Sequence, residues 1–325
     1  MAYAPASNTT QTASITHLAT VYYERKGLDT LKKKFMFRAG TVPDILPLKS
    51  GKTVQFYRYS LYAANTSPAP EGAVGAGLPL TTTTVSATVT EYADYLTIST
   101  LLKDTAIDPI MENAADMLGY RAGLTVDTLC RIEFDANVSS VSVNTLGTAF
   151  SANDLRKSVM SLEGVDVHPI QGDDFLCIIH PYVLYDLEAD NTAGGFIDVL
   201  KYANPGVLVN GGTALSGEAG KMAGCRIVKS TNVGSTGSAP AVKYYTYIIG
   251  MGAVGAIELS GSGPSTVKDP DRQTFKINTG MGGPQLADPT GTIGGWCSYR
   301  FVFAVKTLDT VTYRYKIVYS DSSIV

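Results

Sequence analysis

Thr53-Val54-Gln55-Phe56-Tyr57-Arg58-Tyr59-Ser60-Leu61-Tyr62 is followed, after an Ala/Pro/Gly/Thr-rich connection, by a return run in which Val85, Ala87 and Val89 alternate with Ser86, Thr88 and Thr90. The β-branched and aromatic content of both runs predicts a strand pair. Large side chains fall on both faces of the first run, so both faces want cover, whereas the second reads as a half-wet strand. The connection, residues 63–84, carries one charge, Glu71. A connection of about 20 residues without periodicity is more often functional than a plain loop. A lone two-stranded hairpin is marginally stable in water. Two readings follow: a surface hairpin of a larger sheet, or an arm that reaches a neighbouring subunit.

The hairpin feeds a long helix. Asp108 is a helix-capping residue type, and Pro109 supplies a helical φ with no N–H to satisfy, so the helix is predicted over 109–134. Ile107, Met111, Ala114, Leu118, Ala122, Thr125, Leu129 and Ile132 recur at steps of three and four and give one apolar stripe. At 1.5 Å per residue the helix would be about 39 Å long, which suits a structural spine. Gly119 and Gly123 lower its intrinsic propensity and point to close backbone packing there.

With 325 residues, 45% of them hydrophobic and 17% charged, the chain can bury a substantial core, and two domains are expected. A net charge of −3 sets up no basic field to recruit nucleic acid. Cys130, Cys177, Cys225 and Cys297 stand far apart in apolar runs and read as buried free thiols in a reducing compartment. Residues 1–16 lack the layout of a signal peptide, and no apolar run approaches the ~20 residues of a membrane span. A cytosolic site of synthesis and no membrane partner are therefore expected. A second amphipathic stretch, 15–37, carries Arg25, Lys26 and Lys32 to Lys34 and reads as a solvated basic face or a contact for a phosphate backbone or acidic neighbour. Further along, 151–162 reads as a helix with Leu155, Val159 and Leu162 inward. A strand follows over 175–179, then a short helix opened by His180-Pro181. Strands are expected near 226–228 and 244–249. The tail reads as a hairpin with Val311, Tyr313, Tyr315, Ile317 and Tyr319 on one face.

Signals for chemistry are few. Gly250-Met251-Gly252-Ala253-Val254-Gly255 is a literal G-x-G-x-x-G after a strand, the layout of a dinucleotide-binding turn, which would make the protein an oxidoreductase. Only four residues could continue a helix before Ser260-Gly261-Ser262-Gly263-Pro264 breaks it, so close strand packing is the better account. Gly51-Lys52-Thr53 lacks the first glycine of a phosphate-binding loop, since Leu46 stands there. His17, His168 and His180 have no metal-ligand spacing, and no nucleophile elbow occurs. No catalytic, cofactor-binding or metal-binding residue is assigned, and the chain does not read as an enzyme.

The order of several short stretches is more specific than any one of them. Leu48-Lys49-Ser50-Gly51-Lys52-Thr53-Val54-Gln55-Phe56-Tyr57-Arg58, Pro70-Glu71-Gly72, the Thr-rich return to Tyr92, Ile98-Ser99, Lys103-Asp104-Thr105-Ala106-Ile107-Asp108 and Ala287-Asp288-Pro289-Thr290-Gly291-Thr292-Ile293-Gly294-Gly295-Trp296 follow one another. In that order they resemble the major capsid proteins of tailed bacteriophages, and within them the podovirus family named after the coat protein of coliphage N-four. The resemblance implies an α+β chain with the Hong Kong 97-like fold: an N-terminal arm over 1–48, an extended β-hairpin loop over 49–100, a peripheral domain over 101–150 and 262–325 built on the spine helix, and an axial domain over 151–261. It implies self-assembly into hexamers and pentamers of an icosahedral head, in the virion, assembled in the host cytoplasm. Packaged double-stranded DNA would lie on the inner face without sequence specificity, with portal, scaffold and cement or decoration proteins as further partners. The inter-subunit candidates are Phe56, Tyr57, Arg58, Tyr59, Glu71 and Tyr92; the spine is marked by Asp108, Pro109, Met111, Leu118 and Leu129. An encapsulin-like shell and a phage tail structural protein are the alternatives closest in kind.

Overall fold

The computed structural model describes residues 36–47, 49–59, 62–68, 72, 77–107, 109–138, 142–170, 172, 174–190, 218–238, 242–259, 276–281, 292–310 and 312–321. Its centre is a helix, α2 (Ile110–Asp135), between two sheets. In the first sheet the long strand β13 (Ile293–Thr307) pairs antiparallel with β4 (Thr90–Ser99), β11 (Val254–Leu259) and β12 (Lys276–Met281), and β1 (Thr41–Leu46) extends β11 in parallel. The second sheet runs β5 (Ser142–Ala149), β14 (Tyr315–Asp321), β10 (Lys243–Ile249), β6 (Phe175–Ile179), β8 (Cys225–Lys229), β7 (Glu218–Met222), and the short β9 (Ser235–Thr236) pairs with β10. A separate two-stranded sheet is the hairpin of β2 (Thr53–Tyr59) and β3 (Thr82–Thr88).

The second sheet is covered on both faces, which explains why β6 is apolar at every position. Leu176 and Ile178 face the core shared with α2, while Phe175, Cys177 and Ile179 face a second core. That second core is closed by α3 (Ala152–Glu163) and α4 (Pro181–Ala189), with Leu155, Val159, Leu162, Val183 and Leu187 inward, so the 151–162 helix stands where its periodicity puts it. Local chemistry sets both helix starts. Ser151 and Asp154 form a reciprocal capping box. The His180 Nδ1 accepts the Tyr182 N–H at 3.2 Å, and Pro181 opens α4. Each buried Leu, Val, Ile or Phe contributes roughly 1.5–3 kcal/mol.

The spine departs from its sequence reading in two respects. Pro109 is the N-cap, with Glu112 and Asn113 donating to its carbonyl, and the helix begins at Ile110; Asp108 lies outside the described residues. The buried face is Ala114, Ala115, Leu118, Gly119, Ala122, Gly123, Val126, Asp127, Cys130 and Phe134, rotated from the expected stripe. Ile107 and Ile132 are exposed, and Thr125, Leu129 and Met111 are half-buried. Small residues win this face because it lies against the aromatic row Tyr299, Phe301 and Phe303 of β13. Size complementarity, not hydropathy alone, sets the rotation.

Within that face Asp127 is 2% exposed. Its Oδ1 accepts the N–H groups of Met36 at 2.8 Å and Phe37 at 2.7 Å, and its Oδ2 accepts the Asn232 amide at 2.9 Å. One carboxylate thus ties the spine to the entry segment and to the loop after β8. It holds Phe37 edge-on to Tyr247 at 4.9 Å. Beyond Met36 and Phe37, the amphipathic stretch 15–37 lies outside the described residues, as do 1–35 of the expected arm.

The tail differs from its sequence reading. Tyr315–Asp321 is not half of a terminal hairpin: β14 is an interior strand between β10 and β5, while β13, the strand before it, belongs to the other sheet. The Tyr/Ile alternation that looked like a wet hairpin faces the spine core through Tyr315 and Ile317, with Val318 on the opposite core. All four cysteines are buried free thiols, as their apolar settings predict, and burial pushes the Cys177 thiol up to about 12.

Replacing Asp127 by Ala takes the acceptor from the Met36 and Phe37 N–H groups and one of two acceptors from the Asn232 amide. We expect a loss of at least about 2 kcal/mol, read from the urea midpoint. Burial holds the Asp127 carboxyl above its ordinary value of 3.8 despite the hydrogen bonds it accepts. Its favourable contribution is full below 3.8 and is lost as pH rises through the raised value. Relative to Asp127→Asn, which does not titrate, the wild-type protein therefore gains stability between pH 7 and pH 4; an unchanged difference would contradict the assignment.

Candidate assembly surface

The hairpin meets the body of the protein along one face. Val54 and Phe56 pack on a small core of Leu46, Ala87, Val89 and Ile257, and the Val89 N–H donates to the Lys52 carbonyl at 2.9 Å across the hairpin base. Alternation then sends Tyr57 and Tyr59 to the opposite face, where they are 63% and 60% exposed. Tyr62, Leu78 and Leu80 beyond them are exposed as well. Strand β2 ends at Tyr59 rather than Tyr62, and residues 60, 61 and 69–71, Glu71 among them, lie outside the described residues.

The sequence-predicted contact residues therefore divide. Tyr57 and Tyr59 are open to a partner. Phe56 is turned inward. Arg58 forms an ion pair with the buried Asp309 of its own chain. Tyr92 stacks on Phe301 of the facing strand at 5.4 Å and is half-buried in the spine core. Of the spine markers, Leu118 is buried and Met111 and Leu129 are half-buried, and they hold the helix in place.

A second apolar surface was not anticipated. Leu96 of β4 and Met117, Leu118 and Tyr120 of α2, with Asp116 and Arg121, line an open groove of about 450 Å³. Arg121 bridges to Asp94 at 2.7 Å. Nearby in sequence, Tyr95 is 72% exposed, and Leu101 and Leu102 of α1 (Thr100–Thr105), capped by Ser99, are exposed too. The groove and these exposed side chains make this flank a second candidate contact surface. The signal in the sequence was the pair Met117 and Tyr120, apolar residues off the buried stripe of an amphipathic helix.

The nucleotide-like turn resolves differently. Gly250-Met251-Gly252-Ala253-Val254-Gly255 runs into strand β11, which begins at Val254, and not into a helix, so no helix N-terminus is presented to a phosphate. His180 is a cap stacked on Tyr244 at 4.2 Å, and burial lowers its pKa. Among the described residues no group of His, Cys, Asp and Glu is arranged to hold a metal ion, and no helix is long and apolar enough to cross a membrane.

Residues 81–310 match the family model described as phage capsid protein, and the chain belongs to that family. No curated protein sequence matches. Among solved structures, the capsid of Ralstonia phage GP4 superposes with a TM-score of 0.66 at 9% identity, over 90% of this chain and 92% of that one. The capsid of cyanophage P-SCSP1u gives 0.62 at 14% identity over 89% of each chain. The head of Helicobacter pylori bacteriophage KHP40 gives 0.60 at 13% identity over 87% of this chain and 88% of that one. The fold is the α+β Hong Kong 97-like capsid fold, and the protein is a phage capsid protein and so a virion component.

The two faces of the hairpin should separate in mutants. Phe56→Ala is expected to lower stability by on the order of 2 kcal/mol through lost packing. Tyr57→Ser with Tyr59→Ser should leave the melting temperature of the free subunit within about 2 °C, since neither ring is buried. A large loss in the second variant would mean that the outer face is packed within the subunit.

Proposed function

We propose that the shell forms from hexamers and pentamers of this chain, and that the hairpin loop of each subunit overlaps a neighbour. The observation that carries this reading is the outer face of the hairpin. Tyr57 and Tyr59 are exposed on a two-stranded sheet whose other face is already satisfied, and Tyr62, Leu78 and Leu80 are exposed in the connection beyond it. Such a surface gains by burial against a second copy. Glu71 remains a contact candidate on the same loop.

In capsid terms, 1–48 serves as the N-terminal arm, 49–100 as the extended loop, 101–150 with 262–325 as the peripheral domain, and 151–261 as the axial domain. Sheet pairing joins these segments, because β5 and β14 hydrogen-bond within the sheet of β6, β8 and β10, and β11 pairs with β13. We therefore place the seam between peripheral and axial parts beside α2 rather than at a chain boundary. A net charge of −3 suits an inner wall that holds double-stranded DNA without gripping it or reading its sequence. The role is geometric rather than catalytic, the head assembles in the host cytoplasm, and portal, scaffold and cement or decoration proteins complete it. The ordered stretches from Leu48 to Trp296 favour a podovirus of the coliphage N-four type.

Removing residues 64–80 and joining the strands by a short turn should yield a folded subunit, by circular dichroism and cooperative melting, that forms no closed shells in electron micrographs. Shells of normal diameter from this variant would sink the overlap reading. Tubes from the wild-type protein would indicate a tail component, and a protein cargo in place of DNA an encapsulin-like compartment.

A further inference from the structure

The glycine turn at 250–255 holds no phosphate, yet each of its glycines makes room for another part of the chain. Gly252 has φ +72°, and a Cβ there would lie 3.1 Å from Nη1 of Arg314. The Gly250 N–H donates to the Arg314 carbonyl at 2.9 Å, and a Cβ would collide with Val167. At Gly255 a Cβ would lie 2.9 Å from Leu308 Cδ2 and 3.0 Å from Cζ of Phe56, the inward-facing ring of the hairpin. Val167 aside, the turn is crowded by two things, the 308–314 loop and Phe56 of the hairpin.

The same two meet again at Asp309, which is 2% exposed. Its carboxylate pairs with the Arg58 guanidinium from the hairpin and lies 3.6 Å from Nε of Arg314; it also accepts the Thr312 N–H at 3.2 Å and the Thr312 hydroxyl. A buried carboxylate that loses a cationic partner is left poorly compensated, so this contact resists opening more than an exposed ion pair would.

We propose that the glycine turn is a socket that latches the hairpin onto its own subunit. Phe56 seats at Gly255, Arg58 closes on Asp309, and Arg314, lying over Gly252, braces the same carboxylate. The hairpin is then an arm aimed before any neighbour arrives, and less ordering is left to be done when subunits meet. Its consequence for assembly rests on the reading of the hairpin as an inter-subunit arm; the latch itself is a property of the single subunit.

Hydrogen–deuterium exchange of the purified full-length protein, held as unassembled subunits, tests it. In Arg58→Met, amides of 308–314 and 253–256 should exchange on the order of tenfold faster, matching loss of one charge-assisted contact, while amides of 114–130 in α2 stay unchanged. Arg58→Lys, which keeps the charge, should recover most of the protection. Unchanged exchange in Arg58→Met overturns the proposal. So does equal acceleration in α2, which would make Arg58 a general stability contact. If Arg58→Met opens the 308–314 loop while the loop-shortened variant still forms normal shells, the latch stands and the overlap reading falls.

Discussion

The structure depends on how closely one helix can approach one strand. Ala114, Leu118 and Ala122 of α2 share one core with Tyr299, Phe301 and Phe303 of β13, whose rings fill the space that larger helical side chains would have taken. The same approach leaves no water for polar groups, so the one carboxylate on that face, Asp127, must be satisfied by the chain. It takes two backbone N–H groups of the entry segment and the Asn232 amide, and in doing so sets where the chain enters the core. Further along the helix, Tyr247 donates to Asp135 at 2.6 Å and accepts the Gly234 N–H at 3.0 Å, which ties the second sheet to the same spine.

From that seam the two sheets diverge in character. The second is buried on both faces and is rigid by burial, with cores on either side of β6, β10 and β14. The first carries an outer flank in β4 and α1, and it supports a hairpin that, among the described residues, shares no strand pairing with it. The exposed apolar side chains described above lie on the hairpin and on the β4, α1 and α2 flank. A shell subunit needs this division, since a stiff body and an apolar periphery let many copies join without deforming.

Much of this was legible in the chain. The helix at 152–163 announced itself by the Leu155, Val159, Leu162 spacing, because periodicity is a local effect. The alternation of Val85, Ala87 and Val89 located the buried face of β3 for the same reason. The failures came where a partner distant in sequence decided the outcome. Tyr313 to Tyr319 alternate as a hairpin would, yet β14 pairs with strands about 70 and 175 residues earlier in the chain and is buried on both faces. The ion pair of Arg58 left no trace in the sequence because Asp309 lies far along the chain. The G-x-G-x-x-G spacing looked like a phosphate cradle because glycine marks close approach without saying of what.

By itself, then, the sequence determined the elements, the free thiols in apolar surroundings, the hairpin leading into a long helix, and the family to which their order belongs. These follow from backbone preference and hydrophobic period, which act over a few residues. Only the tertiary structure decided the rotation of the spine, the place of β14, the groove beside Met117 and Tyr120, and which hairpin residues face inward. Those depend on volumes and charges meeting across more than a hundred residues of chain, and side-chain complementarity of that kind has no local signature.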